Sequence, residues 1–182
     1  MDNMGKLVLS LALVTIASAL LLTGVALWTD PIIEENIARM HQEVLEDFFP
    51  EMDSYHEKTV DDVKYDFVYD SEEEFLGVLA LARASGYAGE IVYYLAVCEQ
   101  GTVEGISIRD HEETPGIGDI IEDPEFQDRL VGKHYQDSLE PEEDVDTVSG
   151  ATVSTETMIE SVGEHLELVS DEVLDIGREK DF

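Results

Sequence analysis

Hydrophobic residues follow three different periods along this chain. Leu7 to Thr29 (LVLSLALVTIASALLLTGVALWT) is 23 residues without a charge, and as a helix it would span about 34 Å, slightly more than a hydrocarbon core. From Pro31 to Phe49 the apolar positions thin to Ile33, Ile37, Met40, Val44 and Phe48. Those steps of three and four predict an amphipathic helix that stops at Pro50. A period of two follows. Lys64–Tyr69 alternates as a strand, and Ile91–Cys98 and Thr102–Arg109, joined through Gln100-Gly101, predict a β-hairpin. Glu72–Ala84 fits two templates, since its residue types favour helix while Gly77 and its short length allow a strand. Helical spacing returns in a short segment, Pro124–Leu130, and in Thr155–Leu168, where Met158, Ile159, Val162, Leu166 and Val169 share an apolar side. The pattern predicts an α+β protein: a transmembrane anchor over residues 1–29, then a single domain over 30–182 with an antiparallel sheet and flanking helices.

The apolar run has a second reading as a cleavable signal peptide, because Ala17-Ser18-Ala19 resembles a cleavage site. LLLTGVALW continues past that site, however, and Trp28 stands where an interfacial aromatic anchor belongs, which favours a retained helix. Lys6 precedes the run while Asp30, Glu34 and Glu35 follow it, so the charge asymmetry predicts a cytoplasmic N-terminus and an extracytoplasmic domain.

Charge changes the picture of that domain. The chain has 43 acidic and 10 basic residues, a net −33, and residues 1–29 hold only Asp2 and Lys6. A surface so acidic excludes nucleic acid as a partner, because phosphate contacts need clustered Lys and Arg. It suits high salt or a basic partner. Disorder is excluded by 43% hydrophobic residues with 7 Tyr and 6 Phe. The one cysteine, Cys98, lies in the apolar run IVYYLAVC and reads as a buried small hydrophobe.

Motifs for nicotinamide, nucleotide triphosphate, zincin and c-type haem chemistry are absent. The run from Asp144 superficially resembles a calcium loop, but Gly150 falls one place late and Thr155 stands where a bidentate Glu is needed. His41, His56, His111, His134 and His165 have no ligand spacing, and no metal site or catalytic residue is assigned. What remains is VDTVSGATVSTETM, Val145–Met158. Its small residues precede a helix whose first N–H groups could meet an anion, although a Gly turn followed by an ordinary Ser/Thr cap accounts for the same residues.

DTVSGAT, Asp146–Thr152, resembles the D-x-x-S/T-G-A-T signature of the FMN-binding domain found in the G subunit of the Rnf electron-transport complex and in the C subunit of the sodium-pumping NADH:quinone reductase. GYAGEI (Gly86–Ile91), a hairpin and HEETPGIGDII (His111–Ile121) resemble that family's GYGGPI and EHxETPGLGDKI. Glu90, Ile117 and Ile120 depart from the usual Pro, Leu and Lys. The resemblance implies FMN held by a phosphoester to Thr152 Oγ and installed from FAD by a flavin transferase. It implies a cofactor site formed by Asp146, Ser149, Gly150, Ala151 and Thr152 with the loop Glu113, Thr114, Pro115, Gly116 and Gly118, and with Tyr87 and Gly89 lining the same site. The function implied is electron carriage coupled to ion translocation, not catalysis by the chain alone. Its partners would be the other membrane and soluble subunits of the complex, and an extracytoplasmic cytochrome is a candidate. For Tyr93, Tyr94 and Tyr135 core packing is the better reading. Two readings of other classes stay open: an anchored acidic scaffold or assembly subunit without flavin, and a cation or small-ligand sensor using Glu112, Glu113, Asp119 and Glu122.

Overall fold

The computed structural model of the protein describes residues 2–61, 63–137, 139, 141, 145–169 and 171–180; Asp144, the start of the calcium-like run, lies outside them. The chain forms two compact units, residues 1–42 and 43–182.

The apolar run and the amphipathic segment are not separate helices. Both fall within α1, Asp2–Phe48, with Pro31 inside it. The segment from Met4 is long and apolar enough to cross a membrane, with a window of mean hydropathy 2.3. Two of its hydroxyls are folded back onto the helix: Ser10 Oγ donates to Leu7 O at 2.9 Å and Thr15 Oγ1 to Leu11 O at 2.6 Å. Such i−3 and i−4 bonds remove the desolvation penalty of a hydroxyl among lipid tails.

The second unit is built on five antiparallel strands in the order β1-β2-β3-β4-β5: β1 Ser54–Val60, β2 Val63–Tyr69, β3 Phe75–Ser85, β4 Glu90–Cys98 and β5 Val103–His111. The ambiguous segment is thus a strand. Gly77 pairs with Cys98, and a methyl there would run into the backbone of Val97, so β3 is a central strand at a place where only glycine lets its neighbour come close. Neither β1 nor the last helix, α4 (Asp171–Glu179), is among the predicted elements. β1 is an exposed edge of alternating and charged residues with little apolar signal.

Both faces of the sheet are covered. Tyr65, Phe67, Val78, Ala80, Tyr93 and Leu95 pack under Met158, Ile159, Val162 and Leu166 of α3 (Thr152–Leu168) and Val173 and Leu174 of α4. On the opposite face Val68, Leu79, Tyr94 and Ala96 meet Val44, Leu45 and Phe49. Two covered faces explain why β3 and β4 read as near-continuous apolar runs. Tyr69 Oη donates to Gly177 O at 2.7 Å and so fastens α4 to the sheet. A short α2 (Pro124–Gln127) starts on Asp123, whose side chain accepts from Glu125 N.

Candidate functional site

The meander brings the sequence motifs to one end of the sheet. Ser85 pairs with Glu90, so Gly86–Gly89 is the β3–β4 turn, and Ile91 pairs with His111, so the segment after β5 leaves at that same end. α3 begins there too, because Ser154 Oγ donates to Glu113 Oε2 at 2.8 Å. Residues nearly seventy positions apart therefore surround one cavity of about 360 Å³.

Its first wall is the ETPGIG loop. Pro115 and Gly116 occupy the corners of a β-turn, with Gly116 at φ +76°; Ile117 N and Gly118 N both donate to Thr114 O, at 3.1 and 2.9 Å. Gly116 N donates to Asp119 Oδ2 at 2.8 Å. Pro before a positive-φ Gly suits a type II turn, which holds the backbone in one conformation. Glu113 is 4% exposed. Its Oε1 accepts from Ala88 N at 3.2 Å, and the carboxylate occupies the space where Gly86 and Gly118 would otherwise carry a Cβ. Upstream, Glu113 N donates to His111 Nδ1 at 3.1 Å, and His111 Nε2 lies 3.2 Å from Glu122 Oε1. A backbone donor at Nδ1 leaves the ring proton on Nε2, where Glu122 accepts it.

The second wall is the start of α3. Ala151 N donates to Val148 O at 2.9 Å across Ser149 and Gly150, and Gly150 has φ +95°. The helix begins at Thr152, three residues before the predicted start, and its N-cap is Ala151, which has no side-chain acceptor. The expected Ser/Thr cap is not formed: Thr155 Oγ1 instead donates to Ala151 O at 3.0 Å and accepts from Val148 N at 3.3 Å. The positive end of the helix is thus left open to an anion. Thr152, the first residue of the helix, is exposed.

Of the residues expected at the site, Glu113, Thr114, Gly118, Gly150, Ala151 and Thr152 line the cavity, with Tyr87. Pro115 and Gly116 shape its loop without lining it. Asp146, Ser149 and Gly89 also lie off the lining. Asp146 is exposed and its carbonyl accepts from Arg129 Nη1 at 2.9 Å, while Gly89 O accepts from Gly86 N and closes the β-turn. Ile117, Val153 and Ser154 line the cavity unforeseen. Ile117 and Val153 had no signal beyond adjacency to the motifs, and the Ser154 role depends on a partner 41 positions away. Tyr93 and Tyr94 are core residues; burial lifts the Tyr93 phenol well above its usual range. Glu112 and Glu122 are exposed, and among the described residues no group of three or more His, Cys, Asp or Glu side chains is placed to hold a metal ion.

The cavity can take a flat, largely apolar ring, for Tyr87, Ile117 and Val153 are apolar surfaces 74%, 53% and 50% exposed, with an anionic group at the helix start. Comparison with known proteins agrees with that chemistry. Residues 86–167 match the family model described as FMN-binding domain. Over 176 residues the chain is 25% identical to the G subunit of the ion-translocating oxidoreductase complex of Methanosarcina acetivorans, covering 91% of this chain and 94% of that one. It is 22% identical to the G subunit of the proton-translocating ferredoxin:NAD(+) oxidoreductase complex of Clostridium ljungdahlii, over 88% and 89% of the two chains. Among solved structures, Shewanella oneidensis NqrC superposes with a TM-score of 0.53 at 26% identity, covering 69% of this chain and 68% of that one. The match to the FMN-binding domain family thus spans residues 86–167, the stretch that holds both cavity walls.

Proposed function

We propose that this chain is a single-pass membrane subunit of an Rnf-type ion-translocating oxidoreductase complex, and that it carries electrons on an FMN held by a phosphoester to Thr152. The observation that carries the reading is the convergence of Glu113–Gly118 and Gly150–Ser154 on one cavity inside the matched domain. The names of the G-subunit relatives support the electron-transfer role.

The residues fit such a group. Thr152 is exposed at a helix start without a side-chain cap, where the N–H groups favour the single negative charge of a phosphodiester, and in a domain of this acidity that local potential is needed. Attachment from FAD would form the Thr152 Oγ–P bond as the pyrophosphate bond breaks, with AMP leaving and the hydroxyl proton passing to a base of the transferase. Gly150 and Ala151 keep the approach to Thr152 open. When bound, FMN supplies one- and two-electron redox chemistry. The Glu113–Gly118 turn, Tyr87 and Ile117 would hold its ring and limit water around it. The charge asymmetry about the apolar run supports a cytoplasmic N-terminus and an extracytoplasmic domain.

The test is a denaturing gel of the full chain and its Thr152→Ala variant from the native host, viewed under ultraviolet light. A fluorescent band in the parent that is lost in the variant supports attachment at Thr152; a band retained in the variant places the flavin elsewhere.

A further inference from the structure

Glu113 is an unusual residue to find in the wall of a cavity for an electron carrier. Of the acidic side chains described as buried it is the one that lines this cavity. Its donors are neutral: the Ser154 hydroxyl at 2.8 Å and the Ala88 amide at 3.2 Å. Among the described residues no Lys or Arg pairs with it. A carboxylate can accept about four hydrogen bonds, so two neutral donors leave both charge and acceptor capacity directed at the cavity. The seat is built for it, since both Gly86 and Gly118 lack the Cβ that would fill the space of the carboxylate. Ser154 stands at the third position of α3, so the same pair ties the loop to the helix that begins at Thr152.

We infer that Glu113 is the charge that sets how readily the bound flavin accepts electrons; this rests on the carrier reading. A buried anion beside the ring opposes each added electron; of the other described acids in this domain only Asp66 is buried, and it is off this cavity, while the rest are partly or fully exposed, where salt screens them. At an effective dielectric constant near 20, a unit charge within the width of such a cavity alters an electron-transfer equilibrium by roughly tenfold or more. Burial also makes the effect persist in salt: the Debye length falls to about 3 Å at 1 M, which erases surface fields but leaves a desolvated neighbour largely intact.

The experiment compares the full chain with Glu113→Gln and Glu113→Asp, first on the fluorescent gel and then by spectroelectrochemical titration at low and at molar salt. The electrode supplies the electrons and water any proton. The expected result is a rise of roughly tenfold in the reduced-to-oxidised ratio of the Gln variant at a fixed potential, equal at both salt concentrations, with the Asp variant close to the parent. Loaded flavin whose ratio differs less than threefold between parent and Gln variant would overturn the inference and leave the carrier reading standing. No flavin in the parent would overturn both. If Gln prevents loading, Ser154→Ala decides. It keeps the charge and removes a donor that offsets it, so the ratio should fall at least threefold, and an unchanged ratio would overturn the inference.

Discussion

The two walls of the cavity are built in opposite ways. The Glu113–Gly118 wall is tied internally: Thr114 O holds two amides, Asp119 holds a third, and Glu113 is sunk between the β3–β4 turn and α3. The Asp146–Thr152 wall is exposed at Asp146, Ser149, Gly150 and Thr152. The bonds described along it include the Ala151–Val148 turn bond, the Thr155 hydroxyl to Val148 N and the Arg129 bond to the Asp146 carbonyl. The difference teaches that one wall is shaped in advance by its own hydrogen bonds while the other stays exposed, as the proposed attachment at Thr152 requires. Stability and flavin content should therefore separate under mutation.

The largest separation is expected at Thr152→Ala, which should abolish covalent flavin while changing stability by no more than about 0.5 kcal/mol, because the side chain is exposed and Ala is a good helix former. Gel fluorescence and a urea titration read the two quantities. Glu113→Ala is the converse. It leaves the Ser154 hydroxyl and the Ala88 amide without their acceptor, so unfolding free energy should drop by roughly 1–3 kcal/mol in the same titration. If both variants moved stability equally, the contrast between the walls would be lost. Gly150→Ala tests the turn alone: at φ +95° with open space around it, a Cβ should cost about 1–2 kcal/mol from backbone strain without any clash.

A smaller effect sharpens the comparison with the body of the sheet. Burial pushes Tyr65 and Tyr69 up to about 12. Above pH 10 the unfolded phenols ionise while the folded ones keep their protons, so the folded state binds more protons and stability falls as pH rises from 10 towards 12. A urea midpoint followed over that range should decline, and Tyr69→Phe should flatten the decline.

Much of this protein was legible in local pattern. The membrane-length run, strands β2, β4 and β5 and helix α3 follow from periods of three to four or two, because a period reports which face of one element is buried. The Pro-Gly turn of the ETPGIG loop was legible because its conformation depends on a proline and a glycine that are neighbours in the chain. Two short motifs, by resemblance, pointed to the family that the matched domain bears out.

Other features depend on partners distant in sequence. Whether Glu72–Ala84 became helix or strand was settled by β2 and β4 on either side of it, since its own residues suit both. The start of α3 moved to Thr152 because Thr155 turned its hydroxyl back to Ala151 and Val148 instead of capping. Tyr87, Glu113, Thr152 and Ser154 share a cavity only because antiparallel register places the end of β3, the start of β4 and the end of β5 together, with α3 beginning above them. Periodicity assigns each residue to a face; it carries no information on which faces meet, and that pairing is what turns two motifs into one site.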